Sequence, residues 1–240
     1  MIFFITLIIL IYFIINNIFL YLNNKKIFKE KQIILPKIYV INLDRSKDRL
    51  QNIQKEFNNN KITNFERFNG IDGSKYKLNK KELFFFRNLD NKEKYLGLIG
   101  CALSHFYIWK KMIDYNIQDC IITEDDITLK NNFSNNLKQI ISIKNDYELI
   151  FLYHNRNYLL SMHNKIIPYN KLKWYGCGAV MYYINNKAAH HLYQKVVNQG
   201  IHRAIDWFIY EEVKKIKVGI SKVSLVNTGS FNSVIGINNL

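Results

Sequence analysis

The sequence predicts an α/β fold with a mostly parallel central sheet, preceded by a transmembrane helix. Three observations predict it. Short β-branched apolar runs alternate along the chain with segments whose apolar residues recur at helical spacing. Polar clusters stand directly after two of those runs, at Asn42 with Asp44-Arg45 and at Glu124-Asp125-Asp126, where open α/β sheets build their ligand sites. Finally, residues 1–24 carry no charged side chain.

That first stretch, MIFFITLIILIYFIINNIFLYL, is long enough as a helix to cross a bilayer core of about 30 Å. It has no basic segment before it and no small-residue cleavage site after it, so an uncleaved anchor is expected rather than a signal peptide. Lys25, Lys26, Lys29 and Lys31 follow in a basic linker over 25–36. By the positive-inside rule they put the domain 37–240 on the cytoplasmic side of a single-pass membrane protein.

The elements of the domain follow in order. Lys37 to Leu43 (KIYVINL) reads as a buried strand, and Asp44-Arg45-Ser46 as turn and cap. Arg49, Leu50, Ile53 and Phe57 recur at helical spacing, giving a helix over 46–58. Residues 64–68 read as a short strand ending at Asn69-Gly70, with Asp72-Gly73 a further turn. The charged, aromatic stretch 74–96 reads as an inserted helical or mobile segment. Gly97 to Tyr115 is a helix with Ala102, Phe106, Trp109 and Ile113 on one face. Asp119 to Thr123 is a strand running into the acids. A helix over 133–143, a strand over 149–153 and an irregular or hairpin region over 154–175 come next. A strand over 179–184, helices over 186–197 and 204–215, and a strand over 218–223 complete the domain.

Charge narrows the function classes. Lys and Arg number 34 against 19 Asp and Glu, a net charge of +15. The basic residues are dispersed and no nucleic-acid motif accompanies them, which argues against a nucleic-acid partner. Such a surface attracts anionic headgroups and phosphate-bearing substrates. The three cysteines, Cys101, Cys120 and Cys177, have neither disulfide-framework nor zinc-site spacing.

In so basic a chain, the triplet Glu124-Asp125-Asp126 stands out. Ionised together, three neighbouring carboxylates repel one another, and a divalent cation such as Mn²⁺ or Mg²⁺ removes the conflict. On an extended backbone Glu124 and Asp126 point one way and Asp125 the other. Glu124 and Asp126 therefore suit one metal and one ligand, although an acidic cap or solvated turn fits the same triplet. Ser104 and His105 lie early in a helix, where anions are favoured. Arg45 and Arg49 share a helical face and suit either solvated charge or phosphate. Gly176-Cys177-Gly178 fits a turn or a close backbone approach to ligand. Asp206, beside Trp207, is a helix-start acid or a catalytic carboxylate.

Taken together, these stretches resemble glycosyltransferase family 25, the lipooligosaccharide and procollagen galactosyltransferase group. The matching segments are IYVINLDRSKDRL (38–50), FERFNGIDGS (65–74), GLIGCALSHFYIW (97–109), IITEDDITL (121–129), GCGAVMYYINNKAAHHL (176–192) and IDWFI (205–209). The resemblance implies a GT-A-like nucleotide-sugar-binding fold. It also implies inverting, Mn²⁺- or Mg²⁺-dependent transfer of galactose or glucose from a UDP-sugar to a hydroxyl of a glycan or hydroxylysine acceptor. In it Asn42, Arg45 and Arg49 resemble the first-strand nucleotide region, and Gly100, Ser104 and His105 the second motif. Glu124 and Asp126 stand where related transferases carry their metal-binding acids. The motifs name no base; Asp206 is the first candidate and Asp125 the second. A metal-dependent phosphoryl-transfer enzyme and a degenerate, non-catalytic glycan-binding module are the competing readings.

Overall fold

The computed structural model describes residues 12–17, 33–156, 164–169 and 176–229. The chain divides into two units, Met1–Ile34 and Leu35–Leu240. In the first, residues 12–17 form a helix, α1. The anchor expected over 1–24 is corrected, and with it the membrane partner and the cytoplasmic placement drawn from it. Among the described residues no helix is long and apolar enough to cross a membrane. Six helical residues rise only about 9 Å, against a hydrocarbon core of about 30 Å. The rest of the expected span, and most of the linker 25–36, lie outside the described residues.

The second unit is built on a seven-stranded sheet. Its strands are β1 (Lys37–Asn42), β2 (Phe65–Asn69), β3 (Asp119–Glu124), β5 (Leu149–Phe151), β6 (Ile166–Pro168), β7 (Met181–Asn185) and β8 (Val218–Ser221). Their order across the sheet is β2-β1-β3-β7-β5-β8-β6, and β4 (Ile127–Leu129) pairs separately with β9 (Val226–Thr228). The α/β class is found, but the mostly parallel sheet is corrected to a mixed one. β1 runs parallel to β2 and β3, and β5 to β8, whereas β7 is antiparallel to both β3 and β5, and β6 to β8. A parallel neighbour needs a crossover connection, usually a helix. Among the described residues no helix links β5 to β7.

Helices cover both faces. Along β3 the side chains alternate: Cys120 and Ile122 enter one apolar cluster and Ile121 the other. The first cluster takes Trp109 and Phe106 from α4 (Leu96–Asp114), Leu192 from α6 (Asn186–Gln199) and Phe208 from α7 (Ile205–Tyr210). The second takes Ile53 and Phe57 from α2 (Lys47–Asn59) and Leu137 from α5 (Phe133–Ser142). α6 starts where Asn185 accepts a hydrogen bond from the Ala188 N–H at 2.9 Å, an N-cap that ends β7 and opens the helix in one residue.

Segment 74–96 takes the helical alternative, folding around a buried acid. Asn79 caps α3 (Lys80–Phe85) through a full capping box with Glu82. Glu82 is 1% exposed; it accepts the Tyr76 hydroxyl at 2.7 Å, the Asn79 N–H at 2.7 Å and the Tyr107 hydroxyl of α4.

Candidate active site

The three parallel strands end level. Asn42 lies opposite Asn69, and Ile41 opposite Glu124, so the polar residues after β1, β2 and β3 meet beyond one edge. Asn42 organises them. Its side-chain amide donates to Asp125 Oδ2 at 2.6 Å and to the Ser46 carbonyl at 2.8 Å, and its Oδ1 accepts from Arg67 Nε at 2.8 Å. Arg67 also binds Asp44 at 2.5 Å. Arg45, expected beside nucleotide, pairs with Asp72 in the next loop. Arg49, on the first turn of α2, reaches Asp125 Oδ1 at 3.3 Å and Asp126 Oδ2 at 3.8 Å.

The acids therefore divide differently from a simple alternation. Asp125 is 6% exposed and turned toward Asn42 and Arg49. Burial pushes its carboxyl above the usual range, against the opposing pull of those two partners. Asp126 shares Arg49, yet its Oδ1 is buried with no hydrogen-bond partner. Its carboxyl is pushed up to about 6, first by burial and then by the charge of Glu124. Glu124, the last residue of β3, turns to α4, with its Oε1 3.7 Å from Cys101 Sγ and 3.7 Å from His105 Nε2.

His105 is wholly buried. Its Nδ1 lies 2.8 Å from the Tyr182 hydroxyl, which also accepts the Trp109 indole N–H at 3.1 Å. Asp206, in the first turn of α7, belongs to this side as well. Burial pushes its carboxyl up and the Trp207 N–H opposes this; the nearby Glu124 charge raises it and His105 lowers it. Glu124 is thus within electrostatic reach of Asp126, His105 and Asp206. Trp207 is 38% exposed and meets Tyr210 edge-on.

Gly100 and Ser104 face inward. A Cβ on Gly100 would lie 2.3 Å from the Ile71 carbonyl, and one on Gly73 only 1.7 Å from the Leu96 carbonyl. Ser104 Oγ accepts the Ile71 N–H at 2.9 Å and donates to the Gly100 carbonyl at 2.7 Å. Both residues clamp the loop after β2 onto α4. At Gly176-Cys177-Gly178, Cys177 bridges to His154, and Gly176 takes a positive φ of 64° where a Cβ would strike Asn155.

Sequence reasoning missed Arg67, Cys101 and Tyr182. Cys101 carried a usable signal, standing one helical turn before His105. The other two carried none, because their partners are far away in the chain.

The residues described here lie within a wider similarity. Residues 35–209 match the family described as Glycosyltransferase family 25 (LPS biosynthesis protein). A protein of Acanthamoeba polyphaga mimivirus assigned to the glycosyltransferases is 36% identical over 44% of this chain and 33% of its own length. One of Haemophilus influenzae, similarly assigned, is 28% identical over 75% of this chain and 64% of its own length. Human procollagen galactosyltransferase 2 is 30% identical over 48% of this chain and 20% of its own length. The chain thus spans a fifth to under two thirds of the lengths of these relatives. With the family match running from before β1 into α7, across every acid of the site, the chain belongs to glycosyltransferase family 25.

Proposed function

We infer that this chain is a glycosyltransferase that moves galactose or glucose from a UDP-sugar to a hydroxyl of a glycan or hydroxylysine acceptor, with inversion. The observation that carries the reading is the pair Glu124 and Asp126. Both end at the carboxyl edge of the parallel strands. Asp126 keeps a buried oxygen without a partner, and the two charges oppose each other. Arg49 lies within ion-pairing distance of Asp125 and Asp126 and can neutralise only one of them. An oxygen-preferring cation fits that donor set.

Glu124 and Asp126 would hold Mn²⁺ or Mg²⁺. When bound, the ion would supply positive charge to offset that of the leaving diphosphate. The remaining work falls to the chain itself. Asp125 braces the site from behind by holding Asn42 and Arg49 in place. Asp206, on α7 rather than on the acid-bearing turn, would take the proton of the acceptor hydroxyl. Its raised pKa suits a base, since a carboxylate in water is too weakly basic near neutral pH. The exposed ring of Trp207 offers a flat surface for a sugar.

The human relative's name supports galactose and a collagen-like acceptor, and the family's description supports a lipopolysaccharide-type glycan. The test is incubation of the full chain with UDP-galactose or UDP-glucose, with a hydroxylysine peptide or a glycan acceptor, with and without Mn²⁺. Metal-dependent UDP release coupled to acceptor gain is expected. No release with any donor in the presence of either metal would overturn the reading.

A further inference from the structure

Cys101 and His105 remain unused by this reading, and they stand one turn apart on the same face of α4. Their donor atoms and a Glu124 oxygen all lie within 4.8 Å of one another. We propose that Cys101, His105 and Glu124 form a second cation site, suited to Zn²⁺, which shares Glu124 with the oxygen-ligand pair and so opposes it.

The Cys101 thiol is within reach of a weak S–H···O bond to Glu124 Oε1, but the spacing at His105 points to a metal rather than to a hydrogen bond. His105 Nε2 lies 3.7 Å from Glu124 Oε1. An N–H···O bond spans about 2.7–3.2 Å, so this nitrogen is left without a partner although fully buried. Metal–ligand bonds of about 2.0–2.3 Å at tetrahedral angles separate neighbouring ligand atoms by about 3.4–3.6 Å. The observed 3.7 Å separations, His105 to Glu124 and Cys101 to Glu124, need only a small contraction.

The surroundings suit a histidine ligand. A metal-bound imidazole usually donates its other ring N–H to a fixed acceptor. Tyr182 Oη, 2.8 Å from Nδ1, is that acceptor, and its two lone pairs serve both His105 and Trp109. With the proton on Nδ1, the Nε2 lone pair faces Glu124. One sulfur, one imidazole nitrogen and one carboxylate oxygen select Zn²⁺ or Co²⁺ over Mg²⁺ and Mn²⁺. On binding, the Cys101 thiol loses its proton to solvent and the thiolate bonds the metal.

The two cations compete because they draw on the same Glu124 carboxylate and repel each other across it. The site itself stands on the cluster's geometry; only its effect on turnover rests on the proposed glycosyl transfer.

The experiment adds Co²⁺ to the metal-free full chain. One equivalent should produce a near-ultraviolet sulfur-to-cobalt charge-transfer band, which Zn²⁺ then displaces. Cys101→Ser and Cys101→Ala should both abolish the band, with circular dichroism showing each variant folded. Measured against each variant's own Mn²⁺-supported turnover, both should raise the Zn²⁺ concentration that halves it by about tenfold or more. A missing band in folded wild-type protein overturns the site. So does a band that survives both substitutions, which would trace it to Cys120 or Cys177, and so does a proton resident on Nε2 by ¹⁵N NMR at saturating Zn²⁺. If no sugar transfer is found with any donor, the cobalt spectrum still decides the site, so the two readings fail separately.

Discussion

Asn42 and Asp125, 83 positions apart in the chain, are joined by a buried hydrogen bond of 2.6 Å from the Asn42 amide to the Asp125 carboxylate. This bond ties the end of β1 to the turn after β3, and the same amide also holds the start of α2 through the Ser46 carbonyl. Replacing Asn42 with Ala leaves Asp125 and the Arg67 guanidinium each short of a partner. Stability should fall by about 2–3 kcal/mol, the usual penalty for stranding buried polar groups. Urea denaturation measures it; a variant as stable as wild type would show that the bond has no structural part.

Asp126 should trade stability for function. Its carboxyl is held up at about 6 by burial and by Glu124, so the folded chain resists its ionisation. A carboxylate raised in the folded state costs stability above that pKa. The cost is full above pH 6 and disappears as pH falls toward 4. Asp126→Asn should therefore stabilise the metal-free chain at pH 7.5 by about 1–2 kcal/mol, and by almost nothing at pH 4. Mn²⁺ should stabilise wild type but not the variant, and sugar transfer should be lost. Thermal melts at the two pH values, with and without Mn²⁺, test each part.

Asp206→Asn should slow sugar transfer by about 10²-fold or more, within the range for removal of a general base. Donor affinity should stay nearly unchanged. A defect confined to UDP-sugar binding would move Asp206 out of the base role and into donor recognition.

Gly100→Ala should be among the most damaging small substitutions in the domain. The added methyl would sit 2.3 Å from the Ile71 carbonyl and 2.7 Å from the Gly73 nitrogen, both backbone atoms with no rotamer to yield. A loss of about 2–3 kcal/mol is expected, in line with overpacking of a tight interior. Gly178→Ala makes a useful control: its nearest neighbours there are side chains at 3.3 Å or more, so the change should be mild.

The sequence made six of the seven strands of the main sheet and the long helices of the second unit legible, because each carries its own periodicity within ten or twenty residues; β4, β6 and β9, three residues each, were not read as strands. Strand direction was not legible. β7 reads as an ordinary buried run, and nothing in MYYIN records that it enters the sheet reversed between β3 and β5. The acid triplet was legible as a candidate site from its charge alone. Its division was not, since Asp125 turns to Asn42 and Glu124 to Cys101 through partners separated by 83 and 23 positions. Gly100 and Ser104 fit a ligand motif by their order along the chain, whereas their contacts are with the loop after β2. Charge-free residues 1–24 suggested a span through their apolar length, whereas the helix described there, residues 12–17, is too short to cross a bilayer.

The clamp between Gly73 and Gly100 also has a dynamic consequence. The loop after β2 has neither helix nor strand of its own, yet its Gly70 N–H is held by the Asn42 carbonyl and its Ile71 N–H by Ser104. Loop amides usually exchange with solvent through local fluctuations, ahead of the core. The Ile71 amide should instead exchange only when α4 lifts away from that loop, and the Gly70 amide only when the loop parts from β1, both with the slow kinetics of the interior. Any breathing that admits a ligand must then arise elsewhere along the rim, and the segment bearing Asp72 should behave as part of the chassis rather than as a door.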